Sequence, residues 1–211
     1  NSDGHYRGFT TIREAITDSV NVVAEKTLSD IGTALGYQHV KLVGFATLQA
    51  GDKNQSLAIG SLTKGVTNIE LAAAYAAIAN QGYYNRPSYY TTVEDSEGKT
   101  ILDTTDDKGH RVLKKTTAWL LTSAMGDAIK TGTAKNASFR GMTIAGQGGL
   151  TANRRDTVFA GYSPYYTCVI WGGYDDNSPQ KSGGYSGTIW KAVMKQIHQG
   201  LENRTFKRPE G

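Results

Sequence analysis

The last third of the chain does most to limit what it can fold into. Three short segments rich in β-branched and aromatic residues, "MTIAGQ", "DTVFAGY" and "YTCVIWGGY", follow one another, with turn residues such as Asn153 and Ser163-Pro164 between them. Connections this short join antiparallel neighbours, so the pattern predicts a three-stranded meander. The Gly-rich "SGGYSG" then leads into "TIWKAVMKQIHQGL", in which Ile189, Trp190, Val193, Met194, Ile197 and Leu201 are expected to share one helix face. That helix needs an apolar surface to cover, and the meander supplies one. An α/β fold is expected, with antiparallel strands and a C-terminal helix packed on them.

Helices dominate upstream. Thr11 followed three residues later by Glu14 has the spacing of a reciprocal N-cap, and Ile12, Ala15, Ile16, Val23, Ala24, Leu28 and Ile31 recur at helical spacing, with an interruption expected near Ser19. The same signature at Thr67 and Glu70 opens the small-residue run "LAAAYAAIAN", with Gly82 as the expected C-cap. "SYYTTVEDSEGKTIL" reads as two strands around a Ser-Glu-Gly turn, and "TTAWLLTSAMGDAIK" as a further helix.

The 211 residues suit one unit spanning 1–211, and no apolar run approaches the roughly 20 residues of a membrane span. The net charge of +4 comes from scattered cations, which points away from nucleic acid as a partner. His5, His39, His110 and His198 show no metal-ligand spacing with one another or with Cys168, so neither a metal nor a cofactor is expected. Cys168, set in "YTCVIW", is expected to be a packed thiol. The start "NSDGHYRG" carries no initiating Met and no signal segment, so the chain is expected to be a piece of a longer protein.

Three strings carry chemistry: "SLTK" (Ser61 and Lys64), "SVN" (Ser19 and Asn21) and "KTGT" (Lys130 to Thr133). Ser-x-x-Lys, Ser-x-Asn and Lys-Thr-Gly together mark active-site serine enzymes that react with penicillins. A serine needs a base one helical turn away, a Ser/Asn pair relays a proton and holds the substrate amide, and a Lys-Thr-Gly strand offers cation and hydroxyl to a carboxylate. Order speaks against two of the three strings. In these enzymes Ser-x-x-Lys comes first, whereas here SLTK follows SVN and sits in an expected loop. KTGT ends a helix, where Gly132 is expected to act as a C-terminal cap.

Longer stretches then carry a resemblance over nearly the whole chain. "YRGFTTIREAITDSVNVVA", "SLAIGSLTKGVTNIELAAAYAAIANQG" and "AGQGGLTANRRDTVFAGYSPYYTCVIWGG" resemble, in order, the transpeptidase domain of class A (bifunctional) penicillin-binding proteins. The resemblance implies a partial penicillin-binding-protein or serine β-lactamase-like fold. It implies that SLTK and KTGT are structural, that Ser19 and Asn21 are catalytic, and that AGQGGLT stands where the family has Ala-Gly-Lys-Thr-Gly-Thr-Thr. The substrate-binding positions are then Gln147, Gly148, Gly149 and Thr151. Gln147 lacks the family's positive charge, Gly148 has no side chain and Leu150 replaces a hydroxyl.

Further expectations follow from the resemblance. The Ser-x-x-Lys nucleophile and the first strands would precede this chain, in an upstream part of the same domain, leaving an exposed sheet edge here. The implied activity is peptidoglycan DD-transpeptidation outside the cytoplasmic membrane, with stem peptides and β-lactams as partners, membrane attachment through the upstream region, and weak or no activity for this chain alone. The alternative is a non-catalytic binding or scaffolding module on the same fold.

Overall fold

Local capping fixes where the helices begin. The Thr11 hydroxyl accepts from Glu14 N–H at 3.2 Å while the Glu14 carboxylate accepts from Thr11 N–H at 2.8 Å, and Thr67 with Glu70 repeats the box. The computed structural model describes residues 4–106 and 108–210. Its helices are α1 (Ile12–Thr17), α2 (Asn21–Ile31), α3 (Thr33–Leu42), α4 (Asn68–Ala79), α5 (Lys115–Lys130) and α6 (Ser186–Ile197). The strands are β1 (Tyr83–Tyr84), β2 (Thr92–Glu94), β3 (Thr100–Asp103), β4 (His110–Arg111), β5 (Ala145–Leu150), β6 (Asp156–Tyr162) and β7 (Thr167–Gly173).

The expected interruption falls between α1 and α2, where Ser19 takes a left-handed φ of 55°. Two features were not anticipated. α3 buries none of its residues fully, so its sequence carries little periodic signal. β1 and β4 are two-residue strands brought together across the fold, Tyr83 opposite Arg111, a pairing no local pattern announces. The expected β2–β3 hairpin is present and fully exposed.

β5, β6 and β7 form the antiparallel meander in that order, with Gly148 opposite Phe159 and Phe159 opposite Ile170. Strand alternation sorts the two faces. Phe159 packs against Trp190 of α6, while Tyr162, from the other face of β6, packs with Tyr75 and Ile78 of α4 and Met125 of α5. Trp190 and Met194 are fully buried, and the Trp190 indole donates to the Cys168 carbonyl at 2.9 Å. The Cys168 thiol lies against this core and burial raises its pKa, in keeping with a packed thiol.

One expectation about α6 needs correcting. Trp190, Met194 and Leu201 do meet the core, but Ile189, Val193 and Ile197 are 44%, 39% and 45% exposed and form a separate stripe. A helix laid on a three-stranded sheet covers it with one narrow face, and these residues, spaced by four, fall on the flank.

A buried Ser-His pair closes the lower end of the sheet. The Ser163 Oγ accepts from Tyr165 and Tyr166 N–H and stands 2.7 Å from His198 Nε2, whose Nδ1 lies 2.6 Å from the Met194 carbonyl. With both acceptor positions of the hydroxyl taken, Ser163 donates to Nε2 and Nδ1–H donates to Met194. Both residues are enclosed, so this pair ties the β6–β7 turn to the end of α6 and reaches no substrate.

Candidate functional site

Like any helix, α1 leaves its last carbonyls without intrahelical partners, and the candidate site is built on them. The Ile16 carbonyl accepts from Ser19 N–H at 3.4 Å and from Gln147 Nε2, reaching across from β5, at 3.2 Å. The Ser-x-Asn turn and the AGQGGLT strand, 126 residues apart from Asn21 to Gln147, thus meet at one oxygen.

Ser19 and Asn21 are exposed, and neither the hydroxyl nor the amide has a hydrogen-bond partner among the described residues. Ser19 occupies the left-handed region, a conformation that costs a non-Gly residue on the order of 1–2 kcal/mol. The strain is held by Val20 N–H, which donates to Ala15 O at 2.9 Å, and by burial of Val20. Asn21 is the first residue of α2, fixed by that helix one step beyond the turn.

On β5, Gln147 is half-buried and its Oε1 is buried with no partner among the described residues. An unsatisfied buried acceptor is destabilising by roughly 1–3 kcal/mol. Gly148 and Gly149 are exposed and sterically unnecessary as glycines: a Cβ at Gly148 would rest 3.7 Å from the Phe159 ring, and one at Gly149 would meet nothing within 4 Å. Gly146 differs, because its Cβ would stand 2.8 Å from the Ala160 carbonyl. Steric crowding thus accounts for Gly146 but not for Gly148 or Gly149.

Thr151 closes the turn that follows. Its N–H and hydroxyl engage Asp156, whose N–H donates back to Thr151 Oγ1 at 2.8 Å, and the Trp171 indole holds the other Asp156 oxygen at 2.9 Å. β5 is an edge strand, paired among the described residues with β6 alone.

The two intact-looking strings have other work. Ser61 and Lys64 lie in an irregular segment before α4, and Thr63 between them donates its N–H and hydroxyl to Asp52 Oδ1 at 2.7 and 2.5 Å. Asp52 is 1% exposed, and the Thr63 hydroxyl, with Gln49 and Thr63 N–H, holds its carboxyl below the ordinary 3.8. Two further Ser-x-x-Lys strings, Ser96 to Lys99 and Ser178 to Lys181, also lie outside helices. KTGT leaves α5 and packs on the end of α1: Thr133 N–H donates to the Thr17 carbonyl at 3.2 Å. Gly132 ends α5 as expected, its N–H donating to the Asp127 carbonyl at 3.2 Å, but without a left-handed φ; a Cβ there would sit 2.1 Å from Thr17 O, so close approach also requires the glycine. Asp52 and the α1 carbonyls are the parts of this arrangement the sequence did not flag. A buried acid and a backbone oxygen leave no local signature.

The penicillin-binding protein transpeptidase domain is the family model that matches, over residues 1–197. Penicillin-binding protein 1F of Bacillus subtilis is 34% identical over 220 residues, covering 100% of this chain and 30% of that protein. Penicillin-binding protein 1A of Clostridium botulinum is 32% identical, covering 99% of this chain and 26% of that protein. This chain thus spans less than a third of the length of those curated relatives. Among solved structures, the PonA1 protein of Mycobacterium tuberculosis in complex with penicillin V superposes with a TM-score of 0.85 at 23% identity, over 100% of this chain and 62% of that one. The D,D-transpeptidase domain of a peptidoglycan glycosyltransferase from Eggerthella lenta gives 0.78 at 21% identity, over 95% and 56%.

Proposed function

The chain belongs to the penicillin-binding protein transpeptidase family, and from that premise we propose that it is part of a peptidoglycan DD-transpeptidase-like protein acting in cell-wall cross-linking at the outer face of the bacterial membrane. The observation that carries this reading is the shared Ile16 carbonyl, which joins the Ser19 turn to the edge strand bearing Gln147. Convergence of those two segments is what an acyl-transfer site of this kind requires.

In the proposed mechanism a serine acylated by the penultimate D-Ala carbonyl releases terminal D-Ala and passes the acyl group to a neighbouring amine. The free Ser19 hydroxyl would move a proton and the Asn21 amide would orient the substrate amide. The unpaired edge of β5 would hold the peptide by main-chain hydrogen bonds, which Gly148 and Gly149 leave unobstructed. Gln147 supplies a polar, uncharged contact where a cation would grip a carboxylate. A charge-assisted hydrogen bond contributes about 1.5–3 kcal/mol, so weakening of β-lactam and stem-peptide binding by roughly one to two orders of magnitude is expected.

No Ser-x-x-Lys string among the described residues lies in a helix with its lysine one turn from the serine, so this chain alone is proposed not to turn over. The acylated serine would come from an upstream part of the same domain. Intact-mass spectrometry of the 211-residue chain after exposure to a reactive penicillin should show no adduct. A penicilloyl group mapped to Ser61 would sink the assignment.

A second reading draws on the same strand. The missing cation and the orphaned Gln147 Oε1 favour a binding or scaffolding module that has given up the chemistry. Labelling of the complete protein with fluorescent penicillin separates the two: a covalent band marks an enzyme, and its absence marks the module.

A further inference from the structure

Two acid-free segments meet on the far side of the sheet from the α4 face. Residues 128–155 hold Lys130, Lys135, Arg140, Arg154 and Arg155 with no Asp or Glu, and residues 177–201 hold Lys181, Lys191 and Lys195 with none either. Where the loop before β5 passes α6, Ser138, Phe139, Arg140, Lys191 and Lys195 line an open cleft of about 430 Å³. That volume is within the roughly 300–1,000 Å³ of small-molecule sites.

Among the described residues the cleft is lined by three cations and no acidic residue. Among the described residues, Arg140, Lys191 and Lys195 take part in no salt bridge and no hydrogen bond from their side chains. Lys191 and Lys195 stand one helical turn apart, a like-charge spacing that is unfavourable in a helix. Arg140 adds a third positive charge from a different element. Phe139 forms a rigid apolar wall, its ring 6.4 Å from that of the fully buried Trp190 and 6.0 Å from that of His198. Ser138 adds an uncharged hydroxyl residue to the lining.

We propose that this cleft binds a phosphate-bearing ligand. One carboxylate would leave two of the three cations unneutralised, whereas a phosphate or diphosphate offers several oxygens and more than one negative charge. Arginine matches phosphate oxygens with paired N–H groups and lysine adds a mobile point charge. None of the lining residues belongs to the Ser19–Gln147 site, so this inference stands apart from the transpeptidase reading. The phosphate could be free or carried by a lipid headgroup.

The test is an amide chemical-shift titration of the full chain with sodium pyrophosphate at constant ionic strength, and in parallel co-sedimentation with vesicles of equimolar phosphatidylglycerol and phosphatidylcholine. Saturable shifts at Ser138–Arg140 and Lys191–Lys195 are expected with pyrophosphate. Vesicle binding without a response to pyrophosphate supports the same cleft with a lipid-borne phosphate. In either arm the triple variant Arg140→Gln, Lys191→Gln, Lys195→Gln should bind about tenfold more weakly or worse, and Lys195→Gln alone should weaken binding in the same direction. Lys26→Gln, which removes a cation paired with Asp30 on α2, should change nothing. Signal dispersion in the same spectra reports that each variant is folded. Absence of binding in both arms, or equal binding by the triple variant, overturns the proposal.

Discussion

Lys130–Thr133 and Gln147–Thr151 end up against the same short helix, and they reverse what their spelling suggests. The intact KTGT meets α1 chiefly through its backbone, with Thr133 N–H on the Thr17 carbonyl at 3.2 Å, its hydroxyl at a longer 3.5 Å, and Gly132 admitted only because it lacks a Cβ. The altered AGQGGLT meets α1 through a side chain, with Gln147 on the Ile16 carbonyl, and leaves two glycines bare on an edge strand. One segment is a joint between helices, and the other is an exposed edge strand that we propose as the ligand-binding surface. A motif's letters therefore say less than the element that carries them. A Lys-Thr-Gly on a helix exit cannot present a row of main-chain donors, and a strand can, even after its cation is gone.

The largest test of this contrast is steric. Gly132→Val should be destabilising by roughly 3 kcal/mol or more, because its Cβ enters the Thr17 carbonyl and neither backbone can yield cheaply. Gly149→Val should stay within about 0.5 kcal/mol, as expected of an open surface position. Urea unfolding of both variants decides it, and equal losses would break the comparison.

Acid unfolding probes the other intact-looking string. Asp52 has a folded-state pKa below its ordinary 3.8, chiefly through the Thr63 hydroxyl, so its contribution is complete above 3.8 and disappears as pH falls through the folded value. Asp52→Asn should lower stability at neutral pH and make the acid limb below pH 3.8 shallower. An unchanged acid limb would show that Thr63, and with it SLTK, is not pinned in this way.

Gln147→Lys should be stabilising by about 1 kcal/mol, since it removes the orphaned acceptor and offers an ammonium to the carbonyls at the end of α1. Adding Gly148→Thr should leave stability nearly unchanged because a Cβ there has ordinary contact distance to Phe159. Thermal melts of the single and double variants measure both, and a fall in Tm for Gln147→Lys would mean that the strand has been rebuilt around glutamine.

The smallest effect belongs to Ser19. Ser19→Gly should be neutral or stabilising by up to about 1 kcal/mol through relief of the left-handed strain, while Ser19→Ala should not be. Matching melts for the two variants would remove the strain argument.

Short-range chemistry made much of the fold readable. Capping boxes at Thr11 and Thr67, turn residues between the strands and the alternation of β5 to β7 are written within a few positions of where they act. The candidate segments around Ser19 and Gln147 were readable through their neighbours. What stayed hidden was set by partners far along the chain: the exposed Ile189–Val193–Ile197 stripe, the β1–β4 pairing, the burial of Asp52 under Thr63, and the reason for Gly132.

By itself the sequence determined most of the helices, the β2–β3 hairpin, the β5–β7 meander and which positions depart from the family's motif, but not α3 or the β1–β4 pair. Periodicity, capping and turn preference are properties of neighbouring residues. Only the tertiary structure decided that Gln147 and Ser19 share one carbonyl, and that Arg140, Lys191 and Lys195 line one cleft with Phe139. Those outcomes depend on how segments distant in the sequence pack together: a helix-end carbonyl takes whichever donor the packing brings to it, and charges on separate elements come together only when their elements do.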